Sequence, residues 1–340
     1  MPVSDWYLRT KRRLFPKGVR RWGTRQTARV AHRTSERDFA RCFESLRIPP
    51  GTVVCVHGAM SGFGHLSDGL GSVFSALQAA VPGCTIMMPS FPFSETMLGY
   101  LRSEAVFDPR HTPSACGQLS EALRVQPGAR RGSHPTHACV AIGPRARDLI
   151  DGTESCPTPF GEDSSYGRFS RIAGARLLLL CTNSTSHVHR LQELANWPNL
   201  FLPDTLPART RDVDGEIRTW QVQVHRPLLP LFVALPGNGD RPVYLWLPDY
   251  ATLFPNSRER AVLARLGPGS ASDMLSVRQA EWLRTGVMRT AACGPGEVMA
   301  IDLQPWQARL CQDLRRSLEQ WPDAYTLVAL EDANRRGLLR

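Results

Sequence analysis

The 340-residue chain has 42% apolar and 21% charged residues, ordinary globular usage that excludes a fibrous or intrinsically disordered chain. Its length holds one large domain or two small ones. The net charge of +10 lies mostly before residue 37, where ten Arg and Lys face only Asp5 and Glu36; the remaining body carries +2, which excludes a basic nucleic-acid-binding fold as the source of the charge.

Nine cysteines are scattered singly without a CxxC pair, the pattern of reduced thiols, and those within TVVCVHG and ARLLLLC read as small buried hydrophobes. No apolar run approaches the roughly 20 residues of a membrane span, and no apolar signal core follows the first residues, so a soluble, cytoplasmic protein is expected. Residues 1–33 read as a basic leader with interspersed aromatics, either solvated or resting on an acidic surface.

A domain begins at Thr34. TSERDFARCFESL offers a Thr/Ser cap followed by Phe39, Cys42, Phe43 and Leu46 at helical spacing. GTVVCVHG is a short buried strand, GLGSVFSALQAAV a helix and CTIMMPS the next strand, together one βαβ unit. The alternation continues through a helix near GQLSEALRV, a strand at THACVAIG, a short helix at PRARDLI, a strand at ARLLLLC and a helix through HRLQELANW. This order predicts an α/β/α sandwich around a central, largely parallel sheet. After Pro198 the runs EIRTWQVQVH and RPVYLWL, divided by Pro- and Gly-rich turns, predict added antiparallel strands. A strand, turn and strand in WLRTGVMRTAACGPGEVMAIDL and an amphipathic helix in QPWQARLCQDLRRSLEQW end the domain.

GxSxG, GxxxxGK[ST] and HExxH are all absent, which sets aside the common hydrolase, nucleotide-phosphate and zinc-peptidase readings. His187 and His189 could share one face of a strand, but no neighbouring acid or thiol completes a ligand spacing, and no metal is expected. Four ordered segments remain: VHGAMSGFG after the first strand, MMPSF, the long FDPRHTPSACGQLSEALRVQPGARRGSHPTHACVAIGPRA, and LLLLCTNSTSHVHRLQELANWP. Together they resemble the aminoglycoside 3-N-acetyltransferase family, over about residues 34–320.

The resemblance implies an acyl-CoA-dependent N-acyltransferase domain over 34–325 with a tail at 326–340, acetyl-CoA as co-substrate and a small amine as acceptor, and leaves a homodimer open. It places His189 on the family's general base and Gln192 on the position of the carboxylate that steers it. Glutamine can orient an imidazole but cannot neutralise imidazolium, and Glu193 lies about 100° further around the helix. For the CoA site it implies His57, Met60, Ser61, Thr112, Ser114, Gly117, Arg131 and His134, with Ala59 where a serine is usual and Gly132 in place of the serine ahead of His134. For the amine it leaves Glu95, His187 and His225. His225 falls near the family's strand glutamate, so a less cationic amine than an aminoglycoside is expected, in secondary metabolism or on a macromolecule. Two alternatives stay open: a non-catalytic relative that binds CoA, and an interaction protein docked by its leader.

Overall fold

The computed structural model describes residues 33–94, 96–197, 200–225, 228–233, 243–248 and 278–320. The expectation for residues 1–32, and Glu95, lie outside them. Helix α1 (Glu36–Ser45) starts at a reciprocal cap, in which the Asp38 amide donates to the Ser35 hydroxyl and the Ser35 amide to the Asp38 carboxylate at 2.9 Å. Strand β1 (Val53–Gly58), helix α2 (Gly71–Ala80) and strand β2 (Thr85–Pro89) form the expected βαβ unit.

Beyond it come helices α3 (Met97–Arg102) and α4 (Gln118–Arg124), strands β3 (Arg130–Arg131) and β4 (Cys139–Ile142), and helices α5 (Ala146–Ile150) and α6 (Ser165–Ser170). Strand β5 (Arg176–Leu180) leads into helix α7 (His187–Leu194). Strands β6 (Phe201–Arg211) and β7 (Ile217–His225) form a hairpin, as do β8 (Leu228–Val233) and β9 (Val243–Pro248). Helix α8 (Gln279–Thr285), strands β10 (Met288–Cys293) and β11 (Gly296–Asp302), and helix α9 (Leu303–Gln320) complete the described chain.

Seven strands make the central sheet in the order β10-β11-β5-β1-β2-β4-β3. Only β5, β1 and β2 run parallel; the flanking pairs are antiparallel on both sides. The α/β/α sandwich expected from the sequence is present, with antiparallel strands also in its first half. Alternation along β1 divides the interior into two cores. Val54 and Val56 face α1, α2 and α4, whereas Val53 and Cys55 face α5 to α9.

EIRTWQVQVH is a strand, but it pairs with residues 201–211 rather than with RPVYLWL, which pairs with 228–233. The turn at Asp212 fixes that register: its carboxylate accepts the Asp214 and Glu216 amides, both at 3.0 Å, and Gly215 takes φ +91°. With the short strand Val106–Phe107 the hairpin β6–β7 forms a separate sheet over α3, closed by Met97, Leu101, Val222 and Val224.

Helix α9 braces the layer that carries α7. Its Asp313, fully buried, accepts from Arg278 through Nε at 2.5 Å and Nη2 at 2.9 Å. Removing the carboxylate takes the buried acceptor shared by Arg278, Arg309 and Arg316 and leaves Arg278 only Glu281, so Asp313→Ala should lose about 3–5 kcal/mol of unfolding free energy in urea titration.

Candidate active site

The carboxyl ends of β1 and β5 meet where the chain leaves in opposite directions, the crevice in which open α/β sheets bind ligands. His57, near the end of β1, is 8% exposed, with Nε2 3.0 Å from the Thr185 hydroxyl and 3.6 Å from Cys55 Sγ. Burial, reinforced by His187, pushes its pKa down to about 3. The next residues turn out to solvent: Gly58, Ala59 and Ser61 are exposed and Met60 is half-buried. Gly62 has to be glycine, because a Cβ there would stand 2.6 Å from Cys181 Cβ at the end of β5.

Residues 107–117 form a self-bonded loop over the end of β2. The Asp108 amide donates to Thr112 Oγ1 at 3.0 Å, the Ser114 amide to Glu121 at 2.7 Å, and the Ser114 and Ser120 hydroxyls meet at 2.8 Å. Gly117, at φ +103°, opens α4 to solvent. Arg131 lies over the Phe107 ring at 4.7 Å and donates to the carbonyls of Ser90 and Thr112. Its guanidinium therefore clips this loop to the sheet through backbone carbonyls. His134 is buried, 1% exposed, and its Nδ1 accepts the His137 amide at 3.0 Å.

Helix α7 carries His187 and His189, so the two do not share the face a strand would give them. Two residues on a helix point about 200° apart. His187 is fully buried, with Nε2 3.1 Å from Gln307 on α9 and its ring against Phe169 and Trp306. That corrects its assignment to the substrate. His189 points the other way, half-buried, against Phe160 and His225. Its Nδ1 donates to Gln192 Oε1 at 2.8 Å, and its Nε2 has no protein partner among the described residues. Desolvation, with His225 adding to it, lowers the His189 pKa to about 4 against the opposing hydrogen bond from Gln192.

The structure adds a residue that the sequence reading set aside. Glu193 accepts from His225 Nε2 at 2.9 Å, from the Phe160 amide at 3.2 Å and from the Thr158 hydroxyl at 2.9 Å. Its spacing of four from His189 places both on one helix face, a signal present in the sequence. His225, at the end of β7, thus joins His189 through ring contact and α7 through Glu193. His137 extends the cluster, its ring 4.5 Å from Phe91 and 5.0 Å from Phe160.

The family model for aminoglycoside 3-N-acetyltransferase matches residues 55–230. Aminoglycoside N(3)-acetyltransferase III of a Salmonella species is 31% identical over 221 residues, covering 61% of this chain and 77% of the relative. The type VIII enzyme of Streptomyces fradiae is 32% identical over 156 residues, covering 42% and 54%. Among solved structures, aminoglycoside acetyltransferase AAC(3)-Xa superposes with a TM-score of 0.61 at 22% identity, over 84% of this chain and 94% of that one. AAC-IIIb in a binary complex with CoASH gives 0.58 at 20%, over 81% and 94%. Sequence and fold together place the protein among the acetyl-CoA-dependent N-acetyltransferases. It belongs to the aminoglycoside 3-N-acetyltransferase family.

The buried histidines give the fold an acid limit. His57, His134 and His187 stay neutral in the folded protein down to about 3, 4 and 4, whereas an unfolded chain protonates histidine near 6.5. Between those values the unfolded state binds more protons, so stability is complete above about pH 6.5 and falls as pH drops, by up to about 1.4 kcal/mol per pH unit for each group. Calorimetric unfolding should give a lower Tm at pH 5 than at pH 7, with net proton uptake on unfolding at pH 5.

Proposed function

We propose that the protein transfers the acetyl group of acetyl-CoA to an amine of low positive charge, with His189 accepting the amine proton in a ternary complex and no covalent enzyme intermediate. The observation that carries this reading is the His189–Gln192 contact, which engages Nδ1 and leaves the lone pair of the ring on Nε2. Desolvation keeps the free imidazole neutral at neutral pH, the form a general base requires. The exposed rim formed by Gly58, Ala59, Ser61 and Gly117 borders the same strand ends and suits the pantetheine arm of CoA. Thr112 and Ser114 shape that rim through their loop bonds.

The acceptor is read from the carboxylates. AAC-VIa is a neighbour in fold with bound sisomicin, a polycation, and binding several ammonium groups calls for several open carboxylates. Here Glu193 is engaged by three donors, and Glu162, with Arg171 and Arg190 beside it, is already paired. By the family resemblance, His225 falls near the strand glutamate of the aminoglycoside enzymes. A monoamine, or an amine flanked by neutral or anionic groups, fits these surroundings better than a polycation.

Calorimetry on the wild type should show saturable CoA binding at micromolar concentration, about −8 kcal/mol. Thiol release from acetyl-CoA across a panel of amines should favour monoamines over sisomicin. His189→Ala should slow that release about 10²- to 10⁴-fold at unchanged CoA affinity. No heat at millimolar CoA, or a clear preference for sisomicin, would refute the corresponding half of the reading.

A further inference from the structure

Two imidazoles occupy the centre of the site in unlike surroundings. His189 faces an uncharged amide, Gln192, while His225 donates to the carboxylate of Glu193 at 2.9 Å. The rings meet edge to face, 5.8 Å between centroids and 79° apart, and both lie against Phe160, at 5.1 and 5.4 Å. Phe201 closes the far side of His225 at 4.7 Å. His137 is a further titratable neighbour among the described residues; it packs on Phe160 and meets the Thr136 hydroxyl at 3.0 Å. Among the described residues no other carboxylate bonds either imidazole, and His189 Nε2 and His225 Nδ1 both lack a protein partner.

We infer that the two histidines divide the proton traffic: His189 takes the proton of the attacking amine, and His225, with Glu193 as counter-ion, donates the proton that the departing sulfur takes up. Unlike environments at neighbouring titratable groups separate acid from base in this way. The donor role rests on the acetyl-transfer reading above; the unequal charging of the two rings does not.

The steps balance. As the amine nitrogen bonds to the thioester carbonyl carbon, its proton passes to His189 Nε2. The carbon–sulfur bond then breaks with its electron pair on sulfur, which takes the proton from His225 Nδ1. His225 keeps its Nε2 proton on Glu193. Transfer of a proton from His189 to His225, directly or through solvent, restores both, and the net change is one proton moved from nitrogen to sulfur.

Imidazole nitrogen NMR on the full chain tests the division without turnover. At a mildly acidic pH above the value of about 4 for His189, that ring should carry one proton, on Nδ1, while His225, with Glu193 as counter-ion, carries two if the division holds. Glu193→Gln, which keeps the side chain's size and removes its charge, should cost His225 its second proton and leave His189 as it was. Equal protonation of the two rings, or a His225 indifferent to Glu193→Gln, overturns the inference even if CoA binds and acetyl transfer is confirmed.

The donor role has its own kinetic test. His225→Gln should slow acetyl-CoA turnover with the best monoamine of the panel about 10²-fold or more. It should slow transfer from an acetyl aryl thioester, whose thiolate leaves without a proton, far less. Equal losses with the two thioesters would overturn the donor role.

Discussion

Strand β1 is the constraint on which the molecule is built. It lies between β2 and β5 with parallel register to both, and Val53 to Val56 are all at most 2% exposed. A strand buried on both faces cannot slip by one residue without moving its side chains between two different cores. That register brings the carboxyl ends of the parallel strands to one edge, where the chain must turn outward. The site residues of β1, of the loop after it and of α7 are neighbours for that reason.

At this edge the protein uses backbone-directed polar contacts to set geometry and keeps few charges free. Arg131 and Glu193 illustrate it from opposite signs: each is a charged side chain whose hydrogen bonds hold loops. Arg131 ties β3 to the carbonyls of Ser90 and Thr112, and Glu193 ties α7 to residues 158–160 and to the end of β7. Gln192 fits the same economy. It is fully buried, and a carboxylate at that depth would need a charged imidazole beside it at all times. An amide gives His189 its tautomer without that demand.

Much of the fold was legible because its signals are local. The capped helix at Ser35, the βαβ unit of β1, α2 and β2, and the amphipathic α9 all follow from spacing and turn chemistry. The strand at residues 201–211 was not legible, since Pro203 and Pro207 lack the amide proton a ladder uses and disguise it. At the site, His189 and Gln192 could be placed by motif and helical periodicity. Glu193 lies about 100° around the helix from Gln192, yet it shares a face with His189, four positions away. Its partner His225 lies 32 residues further on, at the end of a hairpin whose pairing only tertiary structure defines. The burial of His134 and His187 and the internal bonding of Arg131 were equally invisible, since sequence gives the kind of side chain and not which neighbour has already taken its hydrogen bonds.

His187 and His189 project from opposite sides of one short helix, one clamped to Gln307 in the core and the other facing the site. Helix α7 is therefore an axle as well as a scaffold. With a helix radius of about 5–6 Å, a roll of about 10° carries a ring at its surface through about 1 Å, a displacement on the scale that costs about 10²-fold in an aligned reaction. The angular setting of the His189 imidazole is thus held from behind, by the Gln307 amide on α9, and repacking that hidden contact would turn the ring without altering a single group around it.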